Sequence, residues 1–500
     1  MEDFNVLRKI KFALKCVIFL AILGICLFGV NRILVEKRGY NETWTSSNTF
    51  LNFYNLPEES VDVLFLGSSR SASTLIPQVL YDDYGITSYN LGSARQNVVM
   101  SYFLLKEALR FQSPKAVVLE TYVLFDYMPE EALNSSEPYT RYVLDFMKWG
   151  PVKREAIRTV CALDPEESIA SYYLPNIRFH SRWVDLDEDD FSYGKLDDNP
   201  ALKGYTALNS KYESDFEPYE EGSSEEREAF HSLMLEYFQR MVRLCRDENI
   251  DLILMNVPYE ARRVEQYNTL KDYTREYDLK LLDFNEKTLY EDAGLVYSED
   301  MADNKHCNFV GAAKITDYVG KVLSEEYGLE AHTDEEWNAG EEEYRAVVNN
   351  CQLAWTEDFS EYIDRIKDSD RYTVFVAVKG SGAENIRPEM VKKMKELGLE
   401  TDLTGYPTCS YCAVISSDGV QEKLQVETVS LQGLLREGRS NYVISSSGAD
   451  AGETCSIVID GKEKAVNRLG INFVVYDNEK ENVVDAVSFY AGEEKINAVR

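Results

Sequence analysis

The apolar and polar positions of the chain begin with one long apolar stretch. From Phe12 to Val30 it holds about 19 residues, which as a helix would extend about 28 Å and cross the apolar core of a bilayer. Basic residues precede and enter it at positions 8, 9, 11 and 15, and no small-residue cleavage site follows it. This pattern predicts a cytoplasmic tail over residues 1–11 and an uncleaved signal-anchor helix over residues 12–34. The protein is then expected in the cell membrane as a single-pass chain with its bulk extracytoplasmic.

A polar stalk is predicted over residues 35–58, and short apolar runs then alternate with helix-like stretches. Apolar runs of four to eight residues that end in glycine or polar residues are typical of buried strands. The predicted strands are residues 61–66, 87–91, 115–120, 250–256 and 280–283, and the predicted helices are residues 75–84, 98–111, 227–249, 260–277 and 311–327. Strands separated by helices imply right-handed crossovers and a parallel sheet that is covered on both faces. The sequence therefore predicts an α/β, three-layer αβα domain over residues 59–328.

Two stretches depart from this alternation. Residues from about 125 to 225 are rich in aromatic side chains and end in an acidic run, so they are interpreted as an insertion that is placed to wall or cover a site. Residues 329–349 are acidic and poor in apolar side chains, which is typical of a linker. Beyond it, strand-like runs at 372–378 and 470–476 predict a separate α+β or mostly β accessory domain over residues 350–500.

Charge and cysteine content exclude several classes of function. The chain of 500 residues carries a formal net charge of −33, whereas nucleic-acid binding requires a concentrated basic face; no nucleic-acid partner is expected. Nine cysteines are scattered along the chain, and only Cys409 and Cys412 have a redox or metal-site spacing. No second pair and no nearby histidine complete that motif, so no metal and no cofactor are predicted. A disulfide to Cys455 and a redox function for the pair stay open as alternatives.

The first candidate for chemistry is a serine at the end of the first predicted strand. Gly67, Ser68 and Ser69 stand where this strand meets a helix, and ligands of open parallel sheets bind beyond the carboxyl ends of the strands. Backbone N–H groups and the field of a helix N-terminus could there stabilise a negative oxygen. The alternative is an ordinary turn with a serine that caps the helix.

A candidate base lies near the end of the same domain. Asp303 precedes His306 by three residues, so its carboxylate can bond Nδ1 across one turn and leave Nε2 free to accept the proton of a serine. The chain has only four histidines. His231 falls in a predicted helix and His332 in the acidic linker, which leaves His180 of the insertion as the rival.

With these residues the chain resembles the SGNH/GDSL hydrolase superfamily. The family's first block, Gly-Asp-Ser after a strand, resembles Gly67-Ser68-Ser69 and implies that Ser69 is the nucleophile. Its second block, a glycine after the next strand, matches Gly92 and implies that the Gly92 N–H belongs to the oxyanion hole. Its last block, Asp-x-x-His with a following Asn and Gly, matches Asp303, His306, Asn308 and Gly311.

The chain departs from the family in two blocks. The third block, Gly-x-Asn-Asp, is absent, and Val118-Leu-Glu120-Thr-Tyr122 occupies its place; Asn97 is a substitute candidate for its asparagine donor. Ser68 replaces the aspartate of the first block. Both departures resemble the membrane-anchored branch that includes the D-alanyl-lipoteichoic acid biosynthesis protein. This resemblance implies an acylated glycan or cell-wall polymer as substrate and a membrane-bound O-acyltransferase as partner.

The final domain resembles the interleukin-like EMT inducer (ILEI/PANDER-like) domain. The resemblance rests on Tyr372–Lys379, the helix 388–399, Ser410–Ile415 and Gly470–Asp477, although the last strand is permuted in order. It implies binding of a carbohydrate or a partner rather than catalysis.

Together these features predict a membrane-anchored serine esterase or O-acyltransferase. Ser69, Asp303 and His306 are the expected catalytic residues, and Gly92, Asn97 and Asn308 the expected oxyanion or substrate-binding residues. The rival hypothesis is a catalytically silent scaffold that binds glycan or a membrane acyltransferase.

Overall fold

The fold is described from a computed structural model of the chain. It describes residues 2–35, 47–125, 139–164, 167–186, 189–191, 200–435, 438, 440–492 and 494–500. The chain divides into two compact units, Met1–Tyr344 and Arg345–Arg500. Residues 36–46 of the predicted stalk lie outside the described residues.

The chain starts with a single long helix, α1 (Glu2–Leu34). Its segment Arg8–Leu34 is long and apolar enough to cross a membrane. The apolar side chains of this segment, among them Phe12, Ile25 and Phe28, are exposed rather than packed against the rest of the chain. Exposure of this much apolar surface to water is unfavourable.

The first unit is built on a five-stranded sheet with the order β2-β1-β3-β4-β5, in which every pair is parallel. The strands are β1 (Val63–Leu66), β2 (Ser88–Asn90), β3 (Ala116–Glu120), β4 (Asp251–Asn256) and β5 (Lys280–Asp283). The helices that follow α1 in this unit are α2 (Ser47–Phe53), α3 (Ser69–Thr74), α4 (Pro77–Tyr84), α5 (Val98–Ala108), α6 (Tyr139–Leu144), α7 (Pro151–Leu163), α8 (Ile169–Tyr173), α9 (Asn176–Phe179), α10 (Ser232–Asp247), α11 (Val264–Tyr277), α12 (Lys287–Asp292), α13 (Tyr297–Asp300), α14 (Phe309–Glu325) and α15 (Glu335–Asn338).

Alternate residues of the central strands belong to two separate cores. Leu64 and Leu66 of β1 pack into the core that includes α5 and α10. Val63 and Phe65 pack into the core that includes α14 on the other side. Because successive side chains of a strand point to opposite faces, the sheet is covered by helices on both faces. The three-layer αβα fold predicted from the sequence is confirmed.

The predicted stalk and insertion are largely part of the first unit. Phe50 and Phe53 of α2 are buried in its core, because an amphipathic turn of helix follows the polar stretch. Helices α6–α9 occupy the described part of the insertion before residue 192, and residues 200–225 run as an irregular segment with a short 3₁₀ turn.

The second unit is an α+β domain with two antiparallel sheets. Its six-stranded sheet has the order β15-β14-β13-β6-β7-β8, and its four-stranded sheet has the order β12-β11-β10-β9. The strands are β6 (Tyr372–Lys379), β7 (Ser410–Ser416), β8 (Gly419–Gln425), β9 (Val429–Leu435), β10 (Ser440–Ser446), β11 (Cys455–Ile459), β12 (Lys462–Glu463), β13 (Gly470–Asp477), β14 (Asn482–Ala491) and β15 (Ile496–Val499), and the helices are α16 (Glu341–Leu353), α17 (Phe359–Ile366) and α18 (Pro388–Glu396). Val374 and Val376 of β6 face the core beneath the helices, whereas Phe375 and Ala377 face the smaller sheet.

The boundary between the units falls within the segment that the sequence predicts as a linker. Much of that segment is helical, since α15 and the start of α16 lie in it. The nine cysteines are free thiols, and Cys412 and Cys455 are buried in the second unit. Burial raises the pKa of both thiols to about 12, so neither is a ready thiolate.

Candidate active site

Ser69 is the first residue of α3, immediately beyond the carboxyl end of β1. Gly67 turns the chain there with φ +143°, and a Cβ on Gly67 would lie 2.6 Å from Cβ of Glu120. Only glycine combines this backbone conformation with so close an approach of the neighbouring strand. Ser68 caps α3 through its hydroxyl, which accepts from the Arg70 N–H. The next hydroxyl, that of Ser69, is therefore left for another partner.

That partner is the imidazole of His306. Ser69 Oγ lies 2.8 Å from His306 Nε2, although the two residues are 237 positions apart. His306 Nδ1 lies 2.7 Å from Asp303 Oδ2. The other carboxylate oxygen, Asp303 Oδ1, accepts from the backbone N–H groups of Lys305 and His306, both at 2.9 Å. With the ring proton on Nδ1, Nε2 accepts from the serine hydroxyl.

The surroundings of the imidazole keep it neutral. Burial lowers the pKa of His306, and the hydrogen bond and charge of Asp303 offset this only in part, while Arg70 and Lys305 lower it further. Burial raises the pKa of the Asp303 carboxyl, but the His306 ring and two backbone N–H groups outweigh it, so its pKa lies below the usual value. A neutral imidazole beside an ionised carboxylate is the state that can accept a proton.

Glu120, at the end of the neighbouring strand β3, supports the turn between β1 and α3, called here the serine loop (residues 67–69). Sequence analysis did not predict this role. Its carboxylate accepts from the Ser68 hydroxyl at 2.8 Å and from the Tyr122 N–H at 2.7 Å. It also lies 3.8 Å from the Arg70 guanidinium, and both side chains are almost completely buried. Burial raises the pKa of Glu120, and Arg70 and the hydrogen bonds oppose that shift. The register could have suggested it, because Leu66 pairs with Leu119, which places Gly67 beside Glu120.

Arg70 connects the serine helix, which is α3, to the histidine loop, which is the segment that carries Asp303 and His306. Its Nε donates to the Lys305 carbonyl at 2.9 Å, one residue before His306. Its guanidinium carbon lies 4.3 Å from the ring centre of Tyr122 and 4.5 Å from that of Tyr259. The two aromatic rings and the hydrogen bond to the Lys305 carbonyl hold the guanidinium in place. They thereby constrain the distance between α3 and His306.

Two of the predicted oxyanion donors are engaged in structural bonds. The Gly92 N–H donates to Asn90 Oδ1 at 2.9 Å, and this bond competes with the predicted oxyanion role. The Asn90 amide also donates to the carbonyls of Ser71 and Leu75, so it ties β2 to α3.

Asn97 is the N-cap of α5, where its side chain accepts from the Met100 N–H at 3.0 Å. The cap uses the amide oxygen of Asn97, and the predicted donor role of its amide nitrogen stays a prediction.

Asn308, also predicted to bind substrate, makes bonds within the chain at both ends of its side-chain amide. It caps α14 by accepting from the N–H groups of Val310 and Gly311, and its amide donates to the Glu299 carbonyl at 2.6 Å. It is completely buried, so both ends of the amide serve to hold the loop that carries Asp303. The following Gly311 is required because a Cβ there would lie 2.3 Å from the Asp300 carbonyl oxygen.

The end of the insertion packs along the candidate site. Near Ser69, the Asn90 N–H donates to the Lys203 carbonyl, and the Thr206 N–H donates to the Ala72 carbonyl. Near His306, the Tyr212 N–H donates to the Met301 carbonyl. Gly204 approaches so closely that a Cβ would lie 1.9 Å from the Asn90 carbonyl oxygen. Residues 203–212 therefore brace both the serine helix and the histidine loop.

The remaining histidines lie elsewhere. His180 is exposed, and its Nδ1 lies 3.1 Å from the Ile177 carbonyl. His231 caps α10, and His332 lies 3.4 Å from Asp62. Of the two histidines considered for the base, His306 rather than His180 contacts Ser69.

Arg262 is a second buried guanidinium at the same edge of the sheet. It follows β4, lies 4.9 Å from the ring centre of Phe125 and is 7 % exposed. Within the described part of the chain its three guanidinium nitrogens have no hydrogen-bond partner. A buried charge without a partner is unfavourable for stability.

No family model and no curated protein sequence matches this chain. Among solved structures, it is similar to a protein assigned as an acylhydrolase from Bacteroides fragilis, with 12% identity, a TM-score of 0.26 and coverage of 55% of this chain and 94% of the other. It is also similar to a GDSL-like lipase from Bacteroides thetaiotaomicron, with 10% identity, a TM-score of 0.26 and coverage of 57% and 99%. Likenesses this distant carry no functional argument, and the chemistry of the site rests on the residues of this chain.

Proposed function

We propose that this protein is a membrane-anchored serine hydrolase of the SGNH type that cleaves or transfers ester-linked acyl groups. One observation carries the proposal: Ser69, His306 and Asp303 form an unbroken hydrogen-bonded series, with 2.8 Å and 2.7 Å between the bonding atoms. Ser69 is only partly buried, whereas His306, which contacts it, is 5 % exposed. Such an arrangement activates a serine for attack on a carbonyl carbon.

The proposed reaction has two steps. Ser69 Oγ attacks the ester carbonyl while His306 Nε2 takes its proton, and the protonated ring then gives that proton to the leaving alcohol. The acyl group is left on Ser69. An acceptor hydroxyl attacks this acyl-serine after His306 takes its proton, and Ser69 leaves with a proton from the ring. Asp303 holds the ring and stabilises its positive charge in both steps.

The oxyanion of each step needs N–H donors. The Ser69 N–H is proposed as one donor, since it lies in the first turn of α3, where N–H groups have no partner within the helix. The Gly92 N–H is the proposed second donor, and it would have to share its hydrogen with the Asn90 amide oxygen or exchange that partner for substrate.

The identity of the acceptor decides between esterase and transferase. Water gives hydrolysis, and a glycan hydroxyl gives O-acylation of a cell-surface polysaccharide or related acylated polymer. The apolar helix Arg8–Leu34 supports anchoring beside a membrane, where an integral O-acyltransferase can supply acyl groups. We further propose that the second unit, Arg345–Arg500, binds glycan or a partner protein.

A fluorophosphonate probe tests the nucleophile directly in membranes that contain the full chain. The wild type is expected to be labelled, and Ser69→Ala is expected to abolish labelling. Ser73→Ala is the matched control: Ser73 lies on the same helix and is buried, and its hydroxyl makes only a marginal contact with the Arg70 carbonyl at 3.5 Å. Labelling that survives in Ser69→Ala would refute the proposal.

A catalytically silent scaffold is the second candidate, and the engagement of Gly92 by Asn90 is the observation that favours it. The scaffold predicts no labelling of the wild type, together with retained binding of glycan or of a membrane acyltransferase. A redox protein that uses Cys409 and Cys412 predicts instead that Ser69→Ala is harmless and that the two Cys→Ser changes abolish function.

A further inference from the structure

The insertion presents a cluster of exposed apolar side chains on one group of short helices. This cluster, called here the apolar patch, consists of Ile169, Tyr173, Leu174, Ile177, Trp183 and Val184. Trp183 is 70 % exposed and Val184 is 62 % exposed. Single exposed apolar residues are common on protein surfaces, but several large ones within sixteen consecutive positions indicate an interaction surface.

The patch is fixed to the end of the apolar N-terminal helix. Arg182 Nη1 donates to the Leu34 carbonyl at 2.7 Å, and the Asn176 N–H donates to Asn31 Oδ1 at 3.1 Å. The last carbonyl groups of a helix have no partner within it, so Arg182 satisfies one of them. Arg182 is itself held by Asp190, with both carboxylate oxygens at 3.0 Å.

These bonds determine the depth of the patch if α1 crosses a bilayer. Leu34 follows Val30, the last residue of the apolar run, by four positions, which is about 6 Å along a helix. The headgroup layer on each side of the apolar core is about 5–7 Å thick. Arg182 therefore lies at the level of the headgroups, and so do its neighbours Trp183 and Val184.

The inner face of the same helices is built to hold this orientation. Tyr172 is buried beneath the Arg141 guanidinium, whose carbon lies 3.3 Å from its ring centre, whereas the adjacent Tyr173 points outward. Arg141 pairs with Glu167 at 2.7 Å and Arg178 pairs with Asp145 at 2.9 Å. These ion pairs tie α9 and Glu167, which precedes α8, to α6 and the residue that follows it, which leaves the apolar side chains of α8 and α9 on the outer side.

We propose that the apolar patch is a second membrane contact, which inserts into the lipid headgroup layer. Trp and Tyr are the residues that favour this layer, and apolar side chains on short amphipathic elements bind there through buried area. Arg178 and Arg182 are each paired with an aspartate, so the contact needs no anionic lipid. The inference rests on the membrane anchoring included in the proposed function.

Fluorescence quenching tests whether the apolar patch reaches the lipid. The full chain is placed in bilayer nanodiscs of phosphatidylcholine. Acyl chains brominated near the headgroup quench only tryptophans that reach that depth. When brominated lipid replaces ordinary lipid, the tryptophan fluorescence of the wild type is expected to decrease more than that of Trp183→Phe. Trp355→Phe, which alters the second unit, is the matched control. Its fluorescence is expected to decrease by the same absolute amount as that of the wild type.

Different results identify different failures. A chain that is washed from membranes at alkaline pH would refute the anchor and with it this inference, while fluorophosphonate labelling of Ser69 would be unaffected. A chain that stays in the membrane but whose Trp183 is not quenched would overturn the patch proposal alone. A photoreactive amino acid at Val184 gives an independent result: adducts with lipid support the proposal, and a discrete adduct with a membrane protein would overturn it in favour of a protein partner.

Discussion

The buried pair of Arg70 and Glu120 gives a quantitative test of how the serine loop is held. The facing atoms are 3.8 Å apart and the two side chains are 1% and 0% exposed. At an effective dielectric constant of about 20, their attraction is about 4 kcal/mol. Glu120→Gln keeps the shape but leaves a buried guanidinium without its counter-charge, which is expected to cost about 3–5 kcal/mol. Arg70→Met leaves the carboxylate buried and is expected to cost a similar amount.

The double variant separates charge pairing from positioning. Arg70→Met with Glu120→Gln removes both charges, so its loss of stability is expected to be smaller than the sum of the single losses by up to about 4 kcal/mol. Its rate of fluorophosphonate labelling is expected to stay low, because the bond from Arg70 to the Lys305 carbonyl is still absent. Stability thus recovers where reactivity does not.

The assay is urea unfolding of the full chain in detergent, followed by tryptophan fluorescence. A Trp355→Phe background leaves the signal to tryptophans that precede the second unit. The exposed pair of Arg240 and Glu236, 2.6 Å apart, is the matched control, for which a coupling of about 0.3–0.5 kcal/mol is expected. Additive losses for Arg70 and Glu120, or a coupling no larger than that of the control, would show that the buried pair does not act as described.

Four further outcomes follow from the site. Asp303→Asn is expected to slow fluorophosphonate labelling on the order of 10³–10⁴-fold, and an unchanged second-order rate would contradict its role. Because burial lowers the pKa of His306 and the base acts when deprotonated, the labelling rate should fall with decreasing pH only below about 6.5; a fall that starts higher would count against this reasoning. Gly67→Ala should destabilise the first unit by about 1–3 kcal/mol in urea unfolding, since its Cβ meets Glu120 at 2.6 Å. Arg262→Met should raise the free energy of unfolding by about 1–3 kcal/mol, and a decrease would reveal a partner for this guanidinium.

The strands and the catalytic candidates were within reach of sequence reasoning for a physical reason. Buried parallel strands are short continuous apolar runs, and β1, β3, β4 and β5 begin and end within two residues of the predicted positions. The spacing of Asp303 and His306 is local, and a single turn brings them together. Ser69 could be placed because the carboxyl end of a strand is where this architecture exposes side chains.

The remaining features depend on contacts that a single sequence does not display. Glu120 supports Ser68 because of the register between β1 and β3, which pattern alone leaves open. Asn97 and Asn308 carried a readable signal, since an asparagine directly before a helical run is a common N-cap. The resemblance to a catalytic family instead favours a substrate-binding role for both residues.

Residues 203–212 have a consequence for how the protein tolerates change. This stretch is hydrogen-bonded at one end to β2 and α3 and at the other to the segment around Met301 and Phe309. It therefore couples two regions that are far apart in the chain and that carry the proposed nucleophile and the proposed base. A protease cut or a few added residues within this stretch would let serine and imidazole drift apart while leaving both side chains intact. The protein is then expected to remain folded but to lose the reactivity that is proposed for Ser69, which fluorophosphonate labelling would measure.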